Sequence, residues 1–174
     1  MGRRALFIGR FQPFHLGHYT LIKQIMKDGY KEIVIGIGSA QASYTKHNPF
    51  TAGERIEMID SALSEEDLKY YLIPIPDIDY NTVWVSHVET LCPRFDVVYS
   101  NNKLVRMLFE RAGYRVEKGG GRAIVGNTKI SGGMIREMIG HGDERWKDLV
   151  PEKVYKKILE FDGVRRIKEL YSID

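Results

Sequence analysis

A single cysteine, Cys92, stands in a chain of 174 residues. No disulfide can close within the chain, and a thiolate-rich zinc site is excluded. Long apolar runs are also missing. No stretch approaches the roughly 18 residues a spanning helix needs. Arg3 and Arg4 are not followed by the apolar core of a signal peptide. The expected location is therefore cytoplasmic, with no membrane partner. Charge of one sign is scarce too, since 26 basic residues face 23 acidic ones, a net charge of +3. A nucleic-acid reader needs a concentrated basic stripe, and none is visible. The balance suits a pocket that gathers a few cations around a small anion. Repeats, low-complexity tracts and linkers are absent. The expectation is one domain over 1–174, with helices of 151–174 packed on it and a flexible loop at Gly119–Gly121.

What is present alternates in kind. Ala5–Ile8, Ile33–Ile37, Tyr70–Ile75, Val97–Tyr99 and Tyr114–Val116 read as short buried strands. Helical spacing fills His18–Lys27, Ala52–Leu63, Thr82–Leu91 and Lys103–Ala112, with further helices from Gly132, at Glu152–Leu159 and at Val164–Leu170. This order predicts an α/β fold: a Rossmann-like, doubly wound, five-stranded parallel sheet with helices on both faces and a C-terminal helical extension. Local chemistry marks several boundaries. Thr51 and Glu54 form a capping box. Gly113 is placed to end the fourth helix, and Pro151 suits a helix's first residue. Pro74 and Pro76 make the end of the third strand irregular.

Ligands of open parallel sheets bind beyond the carboxyl ends of the strands. Five segments fall there: Arg10 to His18, Gly38 to Gln41, Asp77 to Trp84, Asn101–Asn102, and Gly119 to Ser131. They are expected to rim one cleft. The first carries the sequence Gly9-Arg-Phe-Gln-Pro-Phe-His-Leu-Gly-His18. A strand, a tight loop and a helix N-terminus make an anion site, because free N–H groups and the helix dipole both favour negative charge. Arg10, His15 and His18 add side chains for phosphate oxygens. Gly17 is read as a point where backbone must approach a ligand closely. Two histidines spaced by three can also be half a metal site. The remaining imidazoles, His47, His87 and His141, lie at unrelated positions, so no metal ligand is assigned.

The other segments read less sharply. Ser131 is a good N-cap, whose helix start at Gly132 can bind a second phosphate, and Arg136 lies far enough along to reach back over it. Gly36-Ile-Gly38-Ser39 resembles the start of a dinucleotide fingerprint but has Gln41 at the third glycine, which leaves a tight turn as the simpler reading. Trp84 is either core or a ligand platform. Asp77 and Asn81 serve either turn chemistry or a ligand. Asn101 and Asn102 suit adenine or ribose, or form an ordinary turn. Lys46 and His47 sit in a polar loop within range of a triphosphate. His87 and His141 are read as solvated.

The decapeptide resembles the Gly-x-Phe-x-Pro-x-His-x-Gly-His signature of small-molecule nucleotidylyltransferases. With Arg10 and Gln12, it is similar to the archaeal-type nicotinamide mononucleotide adenylyltransferases. Further stretches extend the likeness from Leu6 to about Leu170: Gly36 to Gln41, Asn48 to Arg55, Pro76 to Asp79, Asn81 with Trp84-Val85, Val98 to Asn102, and Ile130 to Arg136. Ser131-Gly-Gly-Met-Ile-Arg136 resembles the family's Ser-x-Thr-x-x-Arg, with Gly133 in place of the threonine.

The resemblance implies adenylyl transfer from ATP to nicotinamide mononucleotide, giving NAD and pyrophosphate. It implies ATP on Gly9, Arg10, Phe11, His15, Gly17 and His18, on Asn102, and on Ile130, Ser131, Gly132 and Arg136. The chemistry would rest on His18, with His15, Arg10 and Arg136. Nicotinamide nucleotide would lie against Ser39, Gln41, Asp77, Asn81 and Trp84, whose ring faces suit a cationic nicotinamide. Mg²⁺ would accompany ATP without a protein cage. The resemblance also implies a homo-oligomer, often a hexamer. Other acceptors of the superfamily (phosphopantetheine, flavin mononucleotide, a phosphocholine-like substrate) stay open, as does a non-catalytic nucleotide-binding protein. The incomplete glycine pattern disfavours a dehydrogenase.

Overall fold

The computed structural model describes residues 3–119, 124–125 and 128–173. Five parallel strands form the main sheet: β1 (Arg4–Gly9), β2 (Glu32–Ile37), β3 (Lys69–Pro74), β4 (Val97–Tyr99) and β5 (Arg115–Glu117). Their order is β3-β2-β1-β4-β5. The chain therefore steps outward from β1 to β3, then returns to add β4 on the other side of β1. The switch point lies between β1 and β4, which pair through Ala5–Val97 and Phe7–Tyr99.

Alternation along the strands sends side chains into two cores. Ala5, Phe7, Ile33, Ile35, Val97 and Tyr99 face one cluster, and Leu6, Val34 and Val98 face the other. Helices α1 (Leu16–Lys27) and α2 (Ala52–Leu63) cover the first face through Ile22, Ile25, Met58 and Ile59. Helices α3 (Trp84–Leu91) and α4 (Lys103–Arg111) cover the second through Val85, Val88 and Phe109. β1, β2 and β4, covered on both faces, are the apolar strands, whereas the edges β3 and β5 are half exposed.

The remaining helices, α5 (Gly132–Gly140), α6 (Glu152–Glu160) and α7 (Gly163–Ser172), join the first cluster through Ile135, Val154, Ile158 and Ile167. Arg166 of α7 forks onto both carboxylate oxygens of Glu54, at 2.7 and 2.8 Å, and so ties α7 to the cap of α2.

The expected elements are present, with shifts at their ends. The Thr51–Glu54 capping box forms as read, and Gly113 follows α4 with φ of 87°. Pro151 is the N-cap of α6, one place before the position expected. A 3₁₀ turn, Asn81–Val83, precedes α3, and α1 begins at Leu16, not His18. A second 3₁₀ segment, Glu144–Leu149, and a two-stranded ribbon of β6 (Ile124–Val125) and β7 (Thr128–Lys129) were not anticipated. Of the expected glycine loop, Gly120 and Gly121 lie outside the described residues.

Candidate active site

A cavity of about 250 Å³ opens at the switch point. Gly9 from the end of β1, His15, Gly17 and His18 from the start of α1, and Asn101 and Asn102 from the end of β4 line it. Lys129, Ile130, Ser131 and Gly132 close it from the approach to α5. The expected ATP residues are thus brought together, except three whose placement differs. The ring of Phe11 is only 1 % exposed and lies under His18, 4.7 Å between centroids, so only its backbone is available. Arg10 is exposed beside the cavity without lining it. Arg136 is buried, and its guanidinium donates from Nη1 to the Gln12 carbonyl (2.7 Å) and from Nε to the Lys46 carbonyl (2.9 Å). It therefore clamps the signature loop to α5 and the 46 loop, instead of reaching out over the cavity.

The two histidines are fixed by backbone. His15 is the N-cap of α1, and its Nδ1 accepts the Gly17 N–H at 3.1 Å. The His15 N–H in turn donates to His18 Nδ1, also at 3.1 Å. This is a capping box made of imidazoles in place of the usual hydroxyl and carboxylate. A ring nitrogen that accepts carries no proton, so each neutral imidazole holds its hydrogen on Nε2. The rings stack with centroids 3.7 Å apart. Burial, then the charge of Lys129, pulls His15 down to about 4. Burial, then His15, holds His18 well below its ordinary range. Both imidazoles are therefore neutral donors at pH 7. Gly17 is needed chiefly for this cap and not for ligand approach alone: a Cβ there would sit 2.9 Å from the His15 ring.

Helix α5 offers a second anion site. Ser131 accepts the Met134 N–H on its hydroxyl oxygen (3.2 Å), which leaves its own hydrogen and the N–H groups of the first turn directed outward.

The expected acceptor residues form two connected groups. Ser39 Oγ and Gln41 Nε2 donate to the Asp77 carboxylate at 3.2 and 2.9 Å, and the Asp77 N–H returns a bond to Gln41 Oε1. Asp77, Asn81 and Trp84 line a further cavity of about 250 Å³ with Leu104, Val105 and Leu108. The first turn of α4 stands between the two cavities, since Asn102 lines one and Leu104 the other. Trp84 is half-buried and rests edge-on against Phe109, so it is both core and cavity wall.

One organising residue escaped the sequence reading. Arg55 is fully buried and donates to four carbonyls: Arg10 (2.9 Å), Gly38 (2.8 Å), Ser39 (3.1 Å) and Thr51 (3.2 Å). It stitches the loop after β1 to the loop after β2, and hence the two halves of the cleft. Burial, then Arg10, lowers it to about 10, and it stays charged at neutral pH. Gln12 is a second clamp, exchanging two 2.9 Å bonds with the Phe50 backbone. Lys129 was also missed. His87, read as solvated, is partly exposed and bonds the Pro76 carbonyl through Nε2 at 2.9 Å, next to Asp77. Cys92 is no nucleophile, because burial pushes its thiol up to about 11. Among the described residues, no three His, Cys, Asp or Glu side chains gather as metal ligands.

This geometry has relatives. Residues 6–138 match the cytidylyltransferase-like family. The chain is 51 % identical over 172 residues to the nicotinamide-nucleotide adenylyltransferase of Methanolobus tindarius, covering 99 % of this chain and 96 % of that protein. It is 52 % identical over 171 residues to the enzyme of the same name from Methanococcus aeolicus, covering 98 % and 96 %. A bifunctional NMN adenylyltransferase/ADP ribose pyrophosphatase from Francisella tularensis, solved with AMP and a manganese ion, shares the fold with a TM-score of 0.71. Its sequence identity is 19 %, over 99 % of this chain and 52 % of that one. With this likeness along its whole length, the chain belongs to the cytidylyltransferase-like nucleotidyltransferases and, within them, to the nicotinamide-nucleotide adenylyltransferases.

Proposed function

We propose that the protein joins ATP and nicotinamide mononucleotide into NAD. A 5′-phosphate oxygen of the mononucleotide attacks the α-phosphorus of ATP, the bond to the β-phosphate oxygen breaks, and pyrophosphate leaves. The observation that carries this reading is the pair of neutral imidazoles, each left with Nε2–H, at the mouth of the β1–β4 switch point. The acceptor phosphate is already a nucleophile, so the protein has to position it and stabilise charge. His18 donates to the α-phosphate as charge grows there. His15, Lys129 and the start of α5 at Ser131–Gly132 hold the β- and γ-phosphates. Arg10 enters from the rim, and Arg136 serves the site by holding the signature loop against α5 through its carbonyl clamps.

ATP is taken as its Mg²⁺ complex, so the ion arrives with the substrate. His15, His18 and Lys129 turn N–H and ammonium donors to the cavity, and these suit phosphate oxygens. The nicotinamide end lies in the Asp77–Asn81–Trp84 cavity. There an indole face and a carboxylate favour a cationic ring over the uncharged pantetheine or flavin end of those acceptors. We read 1–174 as one domain, supported by the core that α5, α6 and α7 share with the sheet. No helix of the described residues is long and apolar enough to cross a membrane. A cytoplasmic homo-oligomer, hexameric in form, completes the proposal, and light scattering after gel filtration tests its assembly.

The deciding experiment supplies ATP and Mg²⁺ with nicotinamide mononucleotide, phosphopantetheine or flavin mononucleotide in turn, and follows pyrophosphate. Release with the nicotinamide nucleotide alone is expected. Release only with another acceptor would overturn the substrate, and ATP binding without release would leave a binding protein.

A further inference from the structure

A second cavity, of about 440 Å³, adjoins the nucleotide cavity, and its residues Lys103, Arg106 and Lys118 have no part in the reaction described above. Asn101, Lys103, Arg106, Lys118, Gly119 and Lys129 line it. Asn101 and Lys129 belong to both cavities, so the two are contiguous. Of these six described residues four are cations and none is acidic. A net charge of +3 over the whole chain makes that local excess pronounced.

The cations are weakly compensated. Among the described residues, no carboxylate lies within 4 Å of the ammonium groups of Lys103, Lys118 or Lys129. Arg106 pairs with the exposed Glu110 through Nη2 at 3.2 Å, whereas its Nη1 is buried and has no hydrogen-bond partner. A buried donor left unpaired is costly, and converging like charges repel, so the arrangement gains most from an anion with several acceptor oxygens.

We propose that this basic cavity is a phosphoryl-binding subsite, separate from the triphosphate site, which takes a phosphate dianion beside the bound adenine nucleotide. It rests on the proposed function only in assigning the neighbouring cavity to that nucleotide. The anion has two possible sources: a phosphate carried on the ribose of an adenine nucleotide, or free inorganic phosphate. Both place three acceptor oxygens among Lys103, Arg106 and Lys118.

The test compares the wild-type protein with a Lys103→Gln/Lys118→Gln double variant by calorimetry. The probes are inorganic phosphate, NAD, and NADP as the ribose-phosphorylated nucleotide. If the ribose carries the phosphate, wild type binds NADP about tenfold more tightly than NAD, and the preference falls to about one in the variant. If the source is free phosphate, NAD and NADP bind alike while phosphate binds the wild type and is lost from the variant. Either result supports the subsite, and either weakens as salt rises. Equal binding of the two dinucleotides together with no phosphate binding that depends on Lys103 and Lys118 overturns it. Adenylyl transfer from ATP should be unchanged in the variant. Failure of that activity in the wild type would count against the proposed function alone, because the phosphate titration needs no turnover.

Discussion

The imidazoles of His15 and His18 stack with 3.7 Å between their centres, and the backbone N–H of the first donates to Nδ1 of the second. One arrangement thus starts helix α1, fixes both ring tautomers, and leaves two Nε2–H groups for the nucleotide cavity. Protonating either ring at Nδ1 would break the cap, and burial already opposes it.

This coupling predicts acid sensitivity. His15 is held at about 4 in the folded chain against an ordinary 6.5, so as pH falls the unfolded chain takes the proton first. Its share of stability is complete above about 6.5 and is lost as pH falls toward 4, on the order of 3 kcal/mol at full extent. His15→Asn keeps a capping oxygen without a titrating ring. Urea unfolding at pH 7 and pH 4.5 should show wild type losing clearly more stability than His15→Asn. Equal losses would mean that other groups carry the acid response.

The donor role of His18 separates from its capping role in His18→Asn, which keeps an acceptor for the His15 N–H. Loss of one charge-stabilising donor costs roughly 100- to 1,000-fold in turnover. The expected result is a fall in kcat of that size with KM for ATP changed only a few-fold. An unchanged kcat in steady-state assays would remove His18 from the chemistry.

Much of this was legible in the chain because buried parallel strands and helix caps leave local marks. Ala5–Ile8 and Val97–Tyr99 read as strands from their apolar runs alone, and Thr51–Glu54 fixed the start of α2. What was not legible depends on partners distant in sequence. Arg55 follows a capping box, where an arginine normally faces water, and only the fold brings the Arg10 and Gly38 carbonyls to it. Arg136 sits at a signature position, yet the carbonyl of Gln12, 124 residues earlier, draws it inward. The start of α1 was misplaced by two residues because its cap is an imidazole, outside the usual set of capping side chains. Strands of two residues, as in β6 and β7, are too short to show any period.

Arg55 supplies a stability prediction. Arg55→Met leaves four carbonyls without their donor, and Arg55→Lys offers only one compact charge to groups spread around a planar fork. Either should cost about 3–5 kcal/mol, as breaking a buried charged network does. Denaturant midpoints check this. A lysine variant as stable as wild type would show that the fork geometry is dispensable.

On the proposed reading, Trp84 serves one substrate and not the other. Trp84→Ala removes the indole face from the Asp77–Asn81 cavity and leaves the nucleotide cavity untouched. A stacked cation is worth about 1–2 kcal/mol, so KM for nicotinamide mononucleotide should rise roughly tenfold. KM for ATP should hold. Trp84→Phe, which keeps an aromatic face and the contact with Phe109, should restore part of the loss. A rise in both KM values would point to a collapse of α3 instead.

Gly132 and Gly133 open α5 side by side and differ in what surrounds them. A Cβ on Gly132 would lie 2.9 Å from the Gln12 carbonyl oxygen, so Gly132→Ala must push the signature loop away from α5. A Cβ on Gly133 meets nothing closer than Arg136 Nη2 at 3.8 Å. The position therefore has room, and its glycine is not a steric requirement. Gly133→Ala should stabilise by about 0.5–1 kcal/mol through lost freedom in the unfolded chain. Gly133→Thr restores the hydroxyl of the Ser-x-Thr-x-x-Arg pattern that this segment resembles, and comparison with the alanine variant isolates it. If that hydroxyl reaches the phosphates proposed to lie at Ser131 and Gly132, KM for ATP falls in Gly133→Thr but not in Gly133→Ala. Identical kinetics in the two variants would mean that the backbone donors of α5 alone hold the anion.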